Sequence, residues 1–247
     1  MEGTAVPGRL TWEVATVTTV TQETPSVRSI GLAVPSWPGH RAGQHLDVRL
    51  TADDGYSAER SYSIASADDD PVAITVERLD DGEVSPYLTE DVSVGDQLEI
   101  RGPVGGYFVW EAPDGGPLLL VAGGSGIVPL RAILRQREHA GSDTPVRLLY
   151  SARTLSEVIY RDELDDHHDG VEIIYALTRE QPAGWKGYTR RIDRELLAET
   201  AWPAGKNALA YVCGPTSFVE TAATGLVALG YEPDRVKTER FGGTGGR

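Results

Sequence analysis

The hydrophobic and polar positions follow one period in the first half of the chain and another in the second half. In residues 44–50, the apolar Leu46 and Val48 alternate with the polar Asp47 and Arg49. Similar stretches lie at residues 12–20, 27–34, 73–79 and 97–101, with turn clusters between them. Several short strands separated by regular turns predict a closed barrel or a sandwich.

After residue 117 the pattern changes to strands that alternate with helices. Residues 118–122 are a continuous apolar run, which is typical of a strand covered on both faces. Residues 127–140 have apolar positions at helical spacing and are followed by Gly141, a helix-ending residue. Further strands are predicted at 146–150, 171–177, 208–213 and 236–239, and further helices at 160–169, 193–199 and 215–229. This alternation predicts a doubly wound parallel sheet of the α/β class.

The two patterns meet at Ala112-Pro113-Asp114-Gly115-Gly116-Pro117. Proline and glycine at this density predict a linker between domains. The chain of 247 residues is long enough for two small domains. We therefore expect a first domain over residues 1–113 and a second over residues 114–247.

Charge and cysteine content exclude several classes of function. The formal charge of −14 disfavours nucleic acid and anionic membranes as partners. The single cysteine, Cys213, excludes a disulfide framework and an all-cysteine iron–sulfur cluster within this chain. The N-terminal Met1-Glu2-Gly3-Thr4 does not begin a signal-peptide pattern, and no apolar run approaches a membrane span. We expect a soluble cytoplasmic protein.

A glycine-rich segment directly follows the first strand of the second domain. It contains Gly124, Ser125 and Gly126 and continues to Pro129 in the first turn of the next helix. Glycines let the backbone approach a ligand closely, and the helix N-terminus offers free N–H groups to a phosphate. The segment predicts a nucleotide pyrophosphate site, with an ordinary strand-to-helix turn as the alternative.

The end of the following strand, Tyr150-Ser151-Ala152-Arg153, lacks the carboxylate that NAD-binding folds usually place on the ribose. Ser151 and Arg153 are instead suited to a 2′-phosphate, and Thr178-Arg179 adds a second guanidinium. Lys186 and Tyr188 follow closely and are further candidates. We favour NADPH over NADH, and the alternative is that these arginines are simply solvated.

Two acidic or histidine-bearing clusters resemble metal sites only superficially. His167 and His168 are adjacent on a predicted helix and therefore point to different faces. Asp68-Asp69-Asp70 does not have the alternating ligand spacing of a calcium loop. We predict no metal site.

Five short motifs occur in a characteristic order along the chain. They are Arg-x-Tyr-Ser at 60–63, Gly-x-x-Ser at 82–85, Gly-Pro-x-Gly at 102–105, Gly-x-Gly-x-x-Pro at 124–129 and Cys-Gly-Pro at 213–215. In this order and spacing the chain resembles the ferredoxin–NADP(H) reductase superfamily over nearly its whole length. The resemblance implies an antiparallel six-stranded FAD-binding β-barrel followed by an NAD(P)-binding α/β domain.

The resemblance also implies roles for individual residues. Arg60, Tyr62 and Ser63 would bind the flavin, and Gly82, Val84 and Ser85 would join Arg60 on its pyrophosphate. Residues 124–129 would bind the nucleotide pyrophosphate, whereas Cys213, Gly214 and Pro215 would line the nicotinamide pocket. Ser63 and Cys213 would position the rings, Glu239 is a candidate for proton relay, and Phe241 fits the place of an aromatic residue that covers the flavin. Residues 242–247 extend beyond the point where most members end.

These features predict an FAD-dependent oxidoreductase that takes a hydride from NADPH, or from NADH, and passes electrons onward. Because this chain cannot hold an iron–sulfur cluster on cysteines, we expect a separate ferredoxin, flavodoxin or oxygenase component as the acceptor. We also expect a monomer. The alternatives are a non-catalytic electron-transfer subunit of a larger complex, and a reductase of free flavin or ferric chelates. FAD rather than FMN rests on the resemblance alone.

Overall fold

The computed structural model describes residues 10–166 and 170–241. The N-terminal residues 1–4, the pair His167 and His168, and the extension over residues 242–247 lie outside the described residues. Among the described residues, no helix is both long enough and apolar enough to cross a membrane.

The first half of the chain folds into six antiparallel strands and one short helix. The strands are β1 Glu13–Thr24, β2 Val27–Ala33, β3 His45–Thr51, β4 Ser57–Ser63, β5 Ala73–Glu77 and β6 Gln97–Val104, and the helix is α1 Ser85–Glu90. Their order in the sheet is β4-β3-β6-β1-β2-β5. An antiparallel bridge between Ile64 and Ile74 joins the two edge strands, so the sheet closes on itself. The predicted six-stranded antiparallel architecture is confirmed.

The alternation along these strands places one face inside the barrel. Leu46 and Val48 on β3 are fully buried, and they pack with Ile30, Ile74 and Ile100 from three other strands. β-Branched and leucine side chains fit this pleated, enclosed surface well. The period-two pattern of the sequence is therefore the pattern of the barrel interior.

The second half folds into a five-stranded parallel sheet. Its strands are β7 Leu118–Gly123, β8 Val146–Ala152, β9 Val171–Leu177, β10 Leu209–Pro215 and β11 Val236–Phe241, and its helices are α2 Ile127–His139, α3 Arg161–Asp165, α4 Arg194–Thr200 and α5 Thr216–Ala228. The strand order is β11-β10-β7-β8-β9, and every neighbouring pair is parallel. Helix α2 packs on one face of the sheet, and helices α4 and α5 pack on the other. The doubly wound prediction is confirmed.

Two local details differ from the sequence-based expectation. Helix α1 was not predicted, because it has only six residues and Pro86 in its first turn follows a turn cluster. Helix α3 begins at Arg161 rather than at residue 160, because Tyr160 adopts a left-handed backbone conformation with φ of 59°. A tyrosine in this conformation cannot continue a right-handed helix.

The connection between β6 and β7 contains both the Pro/Gly-rich segment and the predicted boundary between residues 113 and 114. Within this connection, before the Pro/Gly-rich segment, the Phe108 ring packs edge to face against the Tyr211 ring, with 5.1 Å between centroids. The Tyr211 hydroxyl donates a hydrogen bond of 2.7 Å to the carbonyl oxygen of Val109. The chain leaving the barrel is thus packed against the parallel sheet.

A cluster of charged side chains joins α2 and α3 to the barrel. Glu163 accepts hydrogen bonds from Arg131 at 2.6 Å and from Arg135 at 2.9 Å. Arg131 also donates to the carbonyl oxygen of Ala65, and Arg135 lies 3.5 Å from Asp70, both on the barrel side. Burial disfavours the charge on Glu163, but the two arginines outweigh burial, so the pKa of this carboxyl lies below its ordinary value.

We expect Glu163→Gln to lower the free energy of unfolding by about 2–3 kcal/mol at neutral pH, because two partly buried guanidinium groups lose their charged partner. A lowered pKa contributes stability above the ordinary pKa of a glutamate and loses it as the pH falls through the lowered value. The difference between variant and wild type should therefore shrink in acid. Urea unfolding at several pH values measures it.

The matched control is Glu172→Gln, which removes the carboxylate partner of Arg147 at an exposed site. An exposed pair of this kind should change stability by less than about 1 kcal/mol. Equal losses in the two variants would contradict a special role for the Glu163 cluster.

Candidate functional site

The carboxyl ends of β7 and β10 meet at the glycine-rich loop. A Cβ atom at Gly126 would lie 2.1 Å from the carbonyl oxygen of Cys213, which is far inside contact distance. Only glycine therefore lets this loop lie against the end of β10. The close approach fixes the loop over residues 124–126 beside Cys213, the next residue Gly214 and Pro215.

Three residues expected to act on the rings are brought together from distant parts of the chain. The Ser63 hydroxyl, at the end of β4, donates a hydrogen bond of 3.1 Å to Oε1 of Glu239 on β11. Glu239 is opposite Cys213 in the parallel register of β10 and β11. The barrel and the parallel sheet therefore share one polar contact at this point.

Burial shifts the pKa values of both Glu239 and Cys213. It raises the pKa of Glu239 above its ordinary value, and the hydrogen bond from Ser63 only partly offsets the shift. Burial, together with the charge of Glu239, raises the pKa of the Cys213 thiol well above its ordinary value. Cys213 is thus a neutral thiol suited to lining a pocket, whereas Glu239 can hold a proton closer to neutral pH than an ordinary glutamate.

Arg60 lies on β4 with about half of its side chain exposed, and its guanidinium is 2.7 Å from the carboxylate of Glu83. The Tyr56 hydroxyl donates to the same carboxylate. Tyr62, two residues along the strand, is partly buried, and burial raises the pKa of its phenol. The contacts of Glu83 with Arg60 and with Tyr56 were not predicted, because Glu83 and Tyr56 both lie in turn segments.

The segment over residues 82–85 is braced from within. Ser85 accepts a hydrogen bond of 3.1 Å from the backbone N–H of Leu79, and Gly82 donates its N–H to the carbonyl oxygen of Leu79. A Cβ atom at Gly82 would lie 2.7 Å from the Ser85 hydroxyl oxygen. Val84 is fully buried. The pairing of Glu83 with Arg60 holds this segment beside the β4 arginine.

At the glycine-rich loop, the Ser125 hydroxyl donates a hydrogen bond of 2.7 Å to Oε2 of Glu77. Glu77 is the last residue of β5, so this contact crosses from the parallel sheet to the barrel. Pro129 is buried in the first turn of α2. Glu77 was missed by the sequence analysis, because no motif surrounds it.

A cleft of about 1160 Å³ lies between the end of β5 and the ends of β8 and β9, and both Arg153 and Arg179 line it. The backbone N–H of Arg179 donates to the carbonyl oxygen of Arg153 at 2.9 Å. The hydroxyl of Thr178 donates to the carbonyl oxygen of Ala152, and Ser151 lies within β8. The structure thus brings the two arginines to one cleft.

The other two candidates for this function lie elsewhere. Lys186 and Tyr188 are not among the described residues that line the cleft. Tyr188 bridges to Ala176 and packs with Leu196 in the core beneath α4. Lys186 and Tyr188 thus do not line the cleft that the two arginines line, although the backbone of Tyr188 pairs with Leu177 at the end of β9.

At the end of the sheet, Phe241 is opposite Pro215 in register and packs on the core that spans both domains. Among the described residues, no group of three or more acidic, histidine or cysteine side chains could hold a metal ion. The donor chemistry instead fits phosphate-bearing cofactors. Arg60 is a half-exposed guanidinium beside a braced turn, and residues 124–126 form a glycine-rich turn at the carboxyl end of β7, directly before α2.

Two models of known protein families each match one half of the chain. The model described as oxidoreductase FAD-binding domain matches residues 14–109, and that described as oxidoreductase NAD-binding domain matches residues 120–224. The 3-ketosteroid-9-alpha-monooxygenase ferredoxin reductase component of Rhodococcus rhodochrous is 32% identical, covering 94% of this chain and 66% of that protein. NADH-cytochrome b5 reductase 1 of Candida glabrata is 30% identical, covering 76% and 68%.

Among solved structures, the FAD/NAD-binding domain of a Vibrio cholerae nitric oxide dioxygenase aligns with a TM-score of 0.84 and 26% identity, covering 94% of this chain and 99% of that one. The fold and the two family models thus define a chain built of an oxidoreductase FAD-binding domain followed by an oxidoreductase NAD-binding domain. The chain belongs to the ferredoxin–NADP(H) reductase superfamily. It spans about three fifths of the length of the curated relatives it matches, from 56% to 68%.

We expect Gly126→Ala to lower the free energy of unfolding by about 1–3 kcal/mol, because the added methyl group overpacks the contact with β10. Thermal unfolding measures the loss. Gly205→Ala is the matched control, since a Cβ atom at Gly205 meets nothing within 4 Å. A Gly126 variant as stable as the Gly205 variant would contradict the close approach.

Proposed function

We propose that this protein is an FAD-dependent oxidoreductase that takes a hydride from NAD(P)H, with NADPH preferred, and delivers electrons to a separate redox protein. The acceptor would be a ferredoxin, a flavodoxin or an oxygenase component. The observation that carries the proposal is the contact of Ser63 on the barrel with Glu239 beside Cys213 on the parallel sheet. This contact lies where the two cofactor-binding domains meet.

When bound, a flavin accepts two electrons as a hydride from the nicotinamide and can release them one at a time. The protein's own residues orient the reactants and control the proton. Ser63 would offer its hydroxyl at the ring edge, as the family resemblance implies, and the buried Cys213 thiol would pack there without charge. Glu239, with its raised pKa, can hold a proton near the reacting centre and exchange it through Ser63.

Binding of the flavin pyrophosphate would fall to Arg60 and the segment over residues 82–85. The carboxylate of Glu83 is paired with Arg60 at a half-exposed site. A pair of this kind contributes little net free energy. A doubly charged pyrophosphate can therefore displace Glu83 from the guanidinium at low cost, with Tyr62 available to pack against the ring system.

The preference for NADPH is supported by Arg153 and Arg179 in one cleft beyond the glycine-rich loop. Guanidinium groups bind phosphate through charge-assisted hydrogen bonds. The same cleft also holds carboxylates, among them Glu157 at 3.7 Å from Arg153. Because Glu157 offsets part of the positive charge of Arg153, both arginines would be needed to bind the 2′-phosphate. The domain boundary at residues 113 and 114, the monomeric state and the cytoplasmic location stay predictions.

Purified protein should be yellow, and NADPH should bleach the flavin absorbance under anaerobic conditions. An acceptor screen with ferredoxin, flavodoxin, free flavin and ferric chelates then tests the partner. Turnover with ferric chelates alone would point to a small-molecule reductase, whereas protein that takes up no flavin on reconstitution would overturn the proposal. Size-exclusion chromatography distinguishes a monomer from a subunit of a larger complex.

We expect Arg179→Ala to raise the KM for NADPH about tenfold to a hundredfold and to change the KM for NADH little, because only NADPH carries the 2′-phosphate. Steady-state kinetics with both nucleotides measures the difference. Lys186→Ala is the matched control, since it removes a positive charge outside the cleft. Equal effects of Arg179→Ala on both nucleotides would remove the case for NADPH.

A further inference from the structure

An acidic side chain lies at the loop expected to bind the nucleotide pyrophosphate. Oε2 of Glu77 accepts a hydrogen bond from the Ser125 hydroxyl at 2.7 Å. The same oxygen lies 4.0 Å from the position that a Cβ atom on Gly124 would take. The carboxylate of Glu77 is therefore bonded to Ser125 and lies close to Gly124, two of the three residues of the glycine-rich loop.

Nearby cations are directed elsewhere. The guanidinium of Arg78, the next residue, pairs with Asp80 at 2.8 Å and with Glu90 at 2.6 Å. Arg153 and Arg179 line the same cleft as Glu77, but the hydrogen bond from Ser125 goes to the carboxylate of Glu77. A pyrophosphate bound on the loop would thus meet a carboxylate.

Glu77 also joins the two domains, because it belongs to the barrel and Ser125 belongs to the parallel sheet. A phosphate that takes over the Ser125 hydroxyl must break this cross-domain hydrogen bond. A phosphate that leaves the bond intact must lie close to a like charge in a partly buried site, where screening by solvent is weak. Both arrangements weaken binding of the phosphate to the loop.

We propose that Glu77 is a nucleotide-site residue that weakens binding of the dinucleotide pyrophosphate and thereby speeds release of the oxidised nucleotide. The inference rests on the proposed function. NAD and NADP share the pyrophosphate, so Glu77 acts on both equally, unlike Arg153 and Arg179, which would bind only the 2′-phosphate. Weakening that applies equally to substrate and product raises KM and leaves the hydride step itself unchanged.

The experiment measures equilibrium dissociation constants of NAD+ and NADP+ for the FAD-loaded protein, from the perturbation of flavin absorbance. Glu77→Gln keeps the hydrogen-bonding shape and removes the charge. We expect it to tighten binding of both nucleotides about tenfold at low ionic strength, and Glu77→Lys to tighten binding further. The gain should shrink at high ionic strength, because salt screens the repulsion.

Asp143→Asn is the matched control. It makes the same change in net charge on the loop between α2 and β8. This loop lies at the amino end of β8, whereas the cleft lies at its carboxyl end, so both dissociation constants should stay unchanged. Circular dichroism and flavin absorbance establish that each variant is folded and loaded.

Equal constants in wild type and both Glu77 variants, weaker binding in the variants, or tightening of only one nucleotide would each overturn the inference. In the first case wild-type protein still binds NAD(P), so the proposed function survives. If neither wild type nor variant binds either nucleotide, the proposed function falls together with the inference.

Discussion

The candidate site depends on the contact between the glycine-rich loop and the carboxyl end of β10. Because Gly126 has no side chain, its backbone can lie against the carbonyl oxygen of Cys213. This contact places the loop, the buried thiol and Glu239 at one edge of the parallel sheet. Ser63 then completes the group from the barrel, through its hydrogen bond to Glu239. A bulkier residue at position 126 would push the loop away from Cys213 at the end of β10.

The relative position of the two halves is maintained by separate contacts away from the site. Glu163, Arg131 and Arg135 join α2 and α3 to the barrel, and the hydroxyl of Tyr160 donates to that of Thr75 on β5. Hydride transfer requires reacting atoms to be held at close range and in a fixed orientation. A seam made of charged and aromatic contacts can supply that fixed geometry while the cofactor-facing residues remain free to bind ligands.

Acidic side chains occupy positions next to both expected phosphate-binding groups. Glu83 pairs with Arg60 in the barrel, and Glu77 accepts a hydrogen bond from Ser125 at the loop. The two differ in consequence, because Glu83 forms a half-exposed ion pair that a phosphate can replace, whereas Glu77 touches a neutral loop with no cation in the contact. The net charge of −14 therefore bears on the site through particular carboxylates rather than through an overall field.

Both architectures could be predicted from the chain's own pattern, since a period of two and a strand–helix alternation each follow from which faces must be buried. The glycine-rich loop and the five ordered motifs were found in the same way, because glycine and proline constrain the backbone locally. The short helix α1 was missed because Pro86 follows a turn cluster and the helix has only six residues. That Arg153 and Arg179 share a cleft that Lys186 does not line, and that Glu77 touches Ser125, became visible only in the folded chain. These contacts join side chains that are distant in sequence and meet through strand register and domain packing, which no local pattern encodes.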